Sequence, residues 1–385
     1  MRVRRCTHLL LEPRERVSFG LAAILRGKAE VDSEVAWVAL AAHLDQAVAV
    51  DAAECALLGA FSARRWQEPS EQQCASPAVL RLLELGLLLG DQPEHARHLA
   101  RDQAMCDAHW WPLAAVAHRH SRWQGVDSVG DMHARGLVTA NDLRRNFGAP
   151  PPAVQPRDGS YAPLPRQADD AFDALLGRRA TCRNFDRDRP LPLPSLARLL
   201  QRTVMAQATV EAAPDTVFLK KHVPSGGGLH PVETYLLVQN VEGLASGFYH
   251  YHPVEHALLA LPSPPAAELA RLACTMLSGQ EWFADAPAML VLAPRFERCF
   301  WKYRNHAKAY RAVLLDVGHV SQALYLCATE AGLGAFVTAA INEADTDQAL
   351  GLDGVRQGAV AIFGVGWRAV RQQTTEFDPA HRVWG

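Results

Sequence analysis

Residues 224–238 read PSGGGLHPVETYLLV, and this stretch decides the fold that the sequence predicts. Three successive glycines permit positive φ angles and let a backbone approach a flat, hydrogen-bonding ring closely. The apolar run Thr234 to Val238 is typical of a buried strand. The glycine spacing matches neither a Walker A loop nor GxGxxG. The stretch therefore predicts a glycine-rich loop that leads into a strand, with a simple tight turn as the alternative.

Two further apolar runs with bounding glycines predict strands of the same sheet, within residues 330–341 and 358–366. A long buried helix is predicted before them, because apolar side chains recur there at helical spacing. These side chains are Val313, Val317, Val320, Leu324 and Cys327. Strands that alternate with long helices in this way predict a layered α+β domain.

A basic cluster lies in residues 178–185, which read RRATCRNF. Arginine offers paired charged donors and threonine adds a neutral one, a combination that suits a phosphate group. A solvated basic turn is the alternative interpretation. A second chemical candidate is the adjacent pair Lys302 and Tyr303, predicted near the start of the long helix. An ammonium beside a phenol can help it to handle a proton in either direction, although such pairs also occur by chance.

Prolines divide the chain. Six fall within the sixteen residues 150–165, which excludes a helix or a central strand there. The sequence thus predicts an N-terminal region over 1–147, a proline-rich linker over 148–167 and a second domain over 168–385.

The N-terminal region has the outline of a winged-helix-like α+β domain. Strand-like runs precede a capping box at Asp51 and Glu54, and a second helix is predicted from Pro77. That helix offers only Arg81 as a basic residue, which disfavours DNA binding. Docking of a peptide or partner is the functional alternative to a small domain that only packs on the rest of the chain.

Composition narrows the class of protein. The chain has 39 Lys plus Arg against 41 Asp plus Glu, so a general affinity for nucleic acid is not expected. Its N-terminal apolar run is too short for a signal peptide, and no uninterrupted apolar stretch has the length of a membrane span. Eight cysteines without a CxxC pair indicate reduced thiols and a cytoplasmic protein without a structural zinc site.

Together these segments resemble the flavin-dependent nitroreductase superfamily and, within it, the SagB-type azoline dehydrogenases of ribosomal peptide maturation. The resemblance covers residues 168–385. It rests on PSGGGLHPVETY, on FYHYHPVEHAL at 248–258 and on the motif-rich segment 301–322. It implies a central, mostly antiparallel sheet flanked by helices, FMN as the cofactor, and an intertwined homodimer with FMN at its interface.

The resemblance also implies roles for individual residues. The FMN phosphate is expected at Arg179, Thr181, Arg183 and a C-terminal basic residue, Arg382, with Arg371 as the alternative. The flavin ring is expected at Ser225, Gly226, Gly227, Ala339 and Ala340. Lys302 and Tyr303 are expected to form the catalytic dyad.

The chain departs from the family's pattern at three places. Ala180 and Cys182 replace the commoner residues of the phosphate motif. Ala339 and Ala340 stand where glycines are usual, and His306 stands where arginine is frequent. The histidines of 248–258 raise the alternative of a metal site, but the resemblance makes this segment a hairpin of the sheet and predicts no metal.

The implied reaction converts a thiazoline or oxazoline ring of a modified precursor peptide into an azole. A proton passes to Tyr303 and a hydride to N5 of FMN, with dioxygen as the final oxidant. A cyclodehydratase or another maturation protein is the expected partner. The alternatives are an NAD(P)H-dependent flavin reductase for dehydroamino acids, quinones or nitro compounds, and a scaffold that binds a leader peptide or partner and holds a structural flavin.

Overall fold

The computed structural model describes residues 1–19 and 31–384. Their contacts form two units. The first comprises Met1–Arg122 and Phe296–Ala312, and the second comprises Trp123–Arg295 and Val313–Gly385.

The first unit combines short strands with helices. Its strands are β1 (Val3–Arg5), β2 (Leu9–Phe19), β3 (Val31–Ala41), β4 (Val48–Val50) and β5 (Leu88–Gly90). The helices between Val50 and Arg122 are α1 (Ala52–Ala60), α2 (Glu71–Cys74), α3 (Pro77–Glu84), α4 (Ala96–Asp107) and α5 (Pro112–Ser121). Strand β1 pairs with β5, and β2, β3 and β4 form an antiparallel sheet. The predicted mixture of helix and strand is confirmed.

Local sequence signals set the helix ends in this unit. The Glu54 backbone N–H donates to the Asp51 carboxylate (2.7 Å), and the Asp51 N–H donates to the Glu54 carboxylate (2.9 Å). This is the predicted capping box of α1. Helix α3 begins at Pro77, as predicted, and Gly86 follows its end with a φ of 75°.

The second unit begins with α6 (Ser128–Ala134) and α7 (Ala140–Phe147). The helices that follow are α8 (Ala171–Gly177), α9 (Leu193–Thr203), α10 (Ala266–Met276) and α11 (Glu281–Ala284). Helix α12 (Phe296–Lys302) groups with the first unit, and α13 (Ala309–Glu330) and α14 (Glu343–Leu350) come after it. The strands are β6 (Ala208–Ala213), β7 (Thr216–Lys220), β8 (Val232–Val238), β9 (Gly247–His252), β10 (Ala257–Ala260), β11 (Ala288–Pro294), β12 (Gly334–Thr338) and β13 (Ala361–Gly366).

Six of these strands form the central sheet in the order β10-β9-β8-β11-β13-β12, and each pairing is antiparallel. The strands predicted over 234–238, within 330–341 and within 358–366 are β8, β12 and β13. The predicted α+β class with a mostly antiparallel sheet is confirmed. The segment 248–258 forms the β9–β10 hairpin, also as predicted.

Both faces of the sheet are buried. Leu236 and Leu290 belong to one apolar cluster, while Leu237 and Met289 belong to a second. Neighbouring residues thus enter different clusters because successive strand side chains point to opposite faces. This explains why the central strands read as continuous apolar runs in the sequence.

The contacts divide the chain differently from the predicted boundary after residue 147. Residues 123–147 group with the second unit, where the Val126 N–H donates to the Asn342 side chain (2.9 Å) and the Ser128 N–H to the Ser278 carbonyl (3.0 Å). Residues 148–170 contain no helix or strand and are exposed.

Residues 296–312 group with the first unit because aromatic rings pack together there. The centroids of Phe296 and Phe300 lie 4.9 and 4.7 Å from that of Trp110. Such ring pairs add stability beyond the apolar area that they bury.

Helix α13 is the one helix in the described ranges that is long and apolar enough to cross a membrane, judged by length and composition. The core helix of a soluble protein passes the same test. Val317, Val320 and Leu324 of α13 pack in the core beneath the sheet, which accounts for the apolar character of this helix.

Gly364 provides a test of the packing at the edge of the sheet. It faces Phe336 across β12 and β13, and a Cβ at this position would overlap the Phe336 ring. We expect Gly364→Ala to lower the free energy of unfolding by about 1–3 kcal/mol, the usual cost of overpacking. The same change at Gly59, in an exposed turn of α1 with open space around it, is expected to stabilise the protein by up to about 1 kcal/mol. Denaturant unfolding of both variants is the measurement, and equal effects would contradict this packing.

Candidate functional site

The basic segment predicted to hold a phosphate runs beside β12. Thr181 bridges Ala335 in a parallel arrangement, and the Cys182 N–H donates to the Ala335 carbonyl (2.8 Å). The Cys182 thiol points into the core, and burial raises its pKa to about 12. The thiol is therefore protonated and inert, and Cys182 binds its neighbour strand through its backbone.

Two of the four predicted phosphate residues meet one tyrosine of α13. The Thr181 hydroxyl lies 3.1 Å from the Tyr325 hydroxyl, and the Arg179 guanidinium lies 5.3 Å from the centre of its ring. The Tyr325 hydroxyl also accepts the Val337 N–H (3.0 Å). Arg183 lies over the ring of Phe283, 5.9 Å from its centre.

The arginines of this region differ in their charge partners. Within residues 1–19 and 31–384, neither Arg179 nor Arg183 forms an ion pair, whereas Arg187 pairs with Asp285 and Arg368 pairs with Glu376. Arg179 and Thr181 meet at Tyr325, and a guanidinium without a charge partner among the described residues, next to a hydroxyl, suits a phosphate dianion. A cavity of about 450 Å³, lined in part by Arg183, Arg371 and Thr374, leaves room for a ligand beside Arg183.

A buried carboxylate fixes the backbone of this segment. Glu376 accepts the backbone N–H groups of Arg183 (2.5 Å) and Asn184 (3.1 Å), the Asn184 side-chain amide (2.8 Å) and the Trp384 indole N–H (2.8 Å). Arg368 forms an ion pair with the same carboxylate and donates to the Ala180 carbonyl (2.9 Å). Burial would raise the pKa of Glu376, but these hydrogen bonds and the Arg368 charge outweigh it and hold the pKa below its usual range.

The glycine-rich loop is held by a second buried carboxylate, Asp316 of α13. The Ser225 hydroxyl donates to one Asp316 oxygen (2.5 Å) and the Gly226 N–H to the other (3.0 Å). Gly227 and Gly228 have φ angles of 65° and 69°, which glycine adopts without strain. Ser225 and Gly226 therefore fix the loop, and the predicted flavin contacts at Ser225, Gly226 and Gly227 stay predictions.

The chain after β12 is tied locally. The Ala340 N–H donates to the Thr338 hydroxyl (3.2 Å), and the Ala340 carbonyl accepts from the Gln280 side chain (2.7 Å). Ala339 is exposed. The flavin contacts expected at Ala339 and Ala340 remain predictions.

For the C-terminal basic residue of the phosphate site, the sequence predicts Arg382, with Arg371 as the alternative. Arg382 is exposed, and its backbone N–H donates to Asp378 (3.0 Å). Arg368, which sequence reasoning did not select, reaches the Ala180 carbonyl directly. The available signal was its position two residues after β13. A residue at the end of a strand that has neighbours on both sides lies close to other segments of the chain.

Lys302 and Tyr303 lie in the first unit. Lys302 ends α12 and Tyr303 begins the turn before α13, so the expected single helix is two helices separated by residues 303–308. The Lys302 Nζ atom lies 5.6 Å from the centre of the Tyr303 ring, within the range of a cation–π contact. The pair is therefore close, and its catalytic role remains a prediction.

The histidines considered for a metal have other partners. His250 contacts Glu233 (3.2 Å), His256 contacts the Tyr251 hydroxyl (2.7 Å), and His252 accepts the Glu255 N–H (3.0 Å). Each of these contacts belongs to the β9–β10 hairpin or its neighbour β8.

The buried position of Glu376 gives a pH-dependent test. We expect Glu376→Gln to lower the free energy of unfolding by about 3 kcal/mol near neutral pH, since it breaks a buried charge pair. A carboxylate with a lowered folded pKa stabilises above its unfolded pKa and loses this effect as the pH falls through the folded value. The difference between the native chain and the variant should therefore shrink in acid, which thermal melts across pH would measure.

Asp285→Asn is the matched control, because it breaks the exposed pair with Arg187. Its effect should stay below about 1 kcal/mol. A Glu376 effect as small as this control, or one that does not change with pH, would contradict the proposed anchoring.

Comparisons with known proteins follow the same part of the chain. The family model described as "Nitroreductase family" matches residues 176–367. A Methanocaldococcus jannaschii protein named as a nitroreductase is 36% identical over 114 residues, 30% of this chain and 55% of that protein. The trifolitoxin-processing protein TfxB of Rhizobium leguminosarum bv. trifolii is 29% identical over 181 residues, 46% of this chain and 48% of TfxB.

A third relative is matched over most of its length. The microcin B17-processing protein McbC of Escherichia coli is 29% identical over 249 residues, 59% of this chain and 88% of McbC. The chain thus spans about half the length of the first two relatives. Among solved structures, a chain of the E. coli microcin synthetase McbBCD complex with truncated pro-MccB17 bound superposes with a TM-score of 0.51 at 20% identity. That match covers 70% of this chain and 94% of the other, and it shows a common fold.

Proposed function

We propose that this chain, whose residues 176–367 form a nitroreductase-family domain, is an FMN-dependent dehydrogenase that matures a ribosomally made peptide. Two observations support the flavin. Arg179 and Thr181 meet at Tyr325, and Arg183 lines a cavity; neither arginine has a charge partner among the described residues. A peptide substrate is supported by the sequence similarity to McbC and TfxB, two proteins named for processing a microcin and trifolitoxin.

Under this proposal, the FMN phosphate binds Arg179, Thr181 and Arg183, and a basic residue near the C-terminus, Arg382 or Arg371, adds charge. Ser225, Gly226 and Gly227 would hold the flavin ring, and the backbone at Ala339 and Ala340 would also contact it. The positive φ angles of Gly227 and Gly228 suit a loop that presents backbone to a flat ligand. Homodimers are part of the proposal, and the exposed Leu314 and Leu315 on α13 offer an apolar surface for a second copy.

The proposed reaction removes two hydrogens from an azoline ring. Bound FMN supplies a two-electron acceptor for the hydride, and dioxygen is the final oxidant. Tyr303 takes the proton from the neighbouring ring carbon, and the Lys302 ammonium beside it stabilises the negative charge that develops on the reacting groups. The modified precursor peptide is the substrate, a cyclodehydratase or another maturation protein is the partner, and the compartment is the cytoplasm.

Flavin binding is the first test. The purified chain should carry about one FMN per protomer, visible as flavin absorbance. Arg179→Ala and Arg183→Ala should each weaken FMN binding roughly 10- to 100-fold, since each removes a charge-assisted hydrogen bond. Arg198→Ala, on the exposed face of α9, is the control and should bind FMN normally. Fluorescence titration of the apoprotein measures all three. Unchanged affinity in both variants would refute the phosphate assignment, and a native chain without flavin affinity would refute the cofactor.

Turnover is the second test. The double variant Lys302→Ala, Tyr303→Phe should keep FMN but form azoles at least about 100-fold more slowly, the usual contribution of a general base. The double variant Lys220→Ala, Tyr161→Phe changes the same residue types at exposed positions and should react normally. The assay is mass spectrometry of an azoline-containing precursor peptide in air, read as the loss of two hydrogens per ring.

Other outcomes of this assay identify the alternatives. Rapid bleaching of the flavin by NAD(P)H without azole formation would indicate a flavin reductase. Tight binding of the peptide without any turnover would indicate a scaffold with a structural flavin. Normal turnover by the Lys302 and Tyr303 double variant would refute the dyad while leaving the flavin proposal standing.

A further inference from the structure

We propose that the first unit binds a divalent metal ion of the zinc class through His8, Asp102 and Cys106. One ring nitrogen of His8, one carboxylate oxygen of Asp102 and the Cys106 sulfur all lie within 4.8 Å of one another. The site uses none of the residues proposed for flavin binding and catalysis. The proposal therefore does not depend on the function proposed above.

Two of the ligands come from one helix. Asp102 and Cys106 are four residues apart on α4, so their side chains share a face and lie one above the other. His8 comes from the turn that connects β1 to β2. A metal ion held by these residues would join that turn to α4, two segments that are far apart in the sequence.

The hydrogen bonding of His8 leaves a ligand atom free. Its Nε2 atom lies 3.3 Å from the Trp110 carbonyl, which can only accept, so Nε2 carries the proton. The other nitrogen, Nδ1, then presents a lone pair. Nδ1 is buried, and within the described ranges it has no hydrogen-bond partner. An imidazole whose N–H is held by a backbone carbonyl and whose second nitrogen is open is the usual form of a metal-ligating histidine.

Asp102 keeps one oxygen lone pair for a metal. Its Oδ2 accepts from Arg4 (2.8 Å) and from the Thr7 hydroxyl (3.0 Å). Its Oδ1 accepts one bond, from the Thr7 N–H (2.8 Å). A carboxylate offers about four lone-pair positions, so one remains on Oδ1. The Arg4 and Thr7 bonds would orient the carboxylate, the part that outer-shell groups play around metal sites.

The donor set selects the metal. Sulfur, imidazole nitrogen and one carboxylate oxygen suit Zn²⁺ in tetrahedral geometry, whereas Mg²⁺ and Ca²⁺ prefer oxygen ligands alone. Binding replaces the Cys106 thiol proton, which passes to water, and a water molecule completes the fourth position. Cys106 is only half-buried, so an ion can reach it from solvent. The proposal departs from the sequence expectation of no structural zinc site, which rested on the absence of CxxC spacing.

The test uses the full-length, untagged chain and Zn²⁺ alone. After removal of excess metal, elemental analysis should find one tightly held zinc per native chain. His8→Ala and Cys106→Ala should each lower zinc affinity at least about 100-fold, measured against a competing chromophoric chelator. Cys74→Ala, a half-buried cysteine elsewhere in the same unit, is the matched control and should bind zinc like the native chain.

Cobalt substitution identifies the ligand directly. Co²⁺ should give a thiolate charge-transfer band in the native chain and in Cys74→Ala, and this band should be lost in Cys106→Ala. The variants should retain their far-UV circular dichroism and a cooperative unfolding transition, which separates loss of the site from loss of the fold. Equal zinc affinity in the native chain, His8→Ala and Cys106→Ala would show adventitious binding and overturn the proposal, as would a cobalt complex without the thiolate band.

Discussion

The candidate site depends on one constraint: helix α13 contacts both the glycine-rich loop and the basic segment. Asp316 binds the glycine-rich loop through Ser225 and Gly226, and Tyr325 contacts Thr181 and Arg179. The two α13 residues are nine positions apart, so these attachments are about 13 Å apart along the helix axis. The hydrogen-bonded geometry of α13 fixes this spacing, and its packing against the sheet holds both attachment points in place.

The charged side chains near these segments fall into two groups, those that support the fold and those that are available to a ligand. The carboxylates of Glu376 and Asp316 are buried and accept backbone N–H groups, so they hold backbone in place. Arg368 is neutralised by Glu376, while Arg179 and Arg183 rest on aromatic rings, which stabilise a cation without neutralising it. The structure therefore separates positive charge that supports the fold from positive charge that is available to an anionic ligand.

Local signals in the sequence predicted the elements well. The capping box at Asp51 and Glu54, the helix that begins at Pro77 and the apolar strands depend on neighbours within a few residues, and their physics is visible in a short window. Arg368 and Glu376 escaped prediction because their partners, Ala180 and Arg183, are almost two hundred residues away. No spacing rule links such distant positions. The break between α12 and α13 was also missed, since residues 303–308 contain no proline or glycine to signal a turn.

By itself, the sequence determined the α+β class, the sheet strands, the glycine-rich loop and the residue types that resemble a flavin enzyme. Periodicity and conformational preference act along the chain, so they can be recognised without coordinates. Only the tertiary structure decided which arginines are neutralised, which carboxylates anchor the loops and that His8, Asp102 and Cys106 meet. These properties depend on burial and on distances between remote segments, and packing alone sets both.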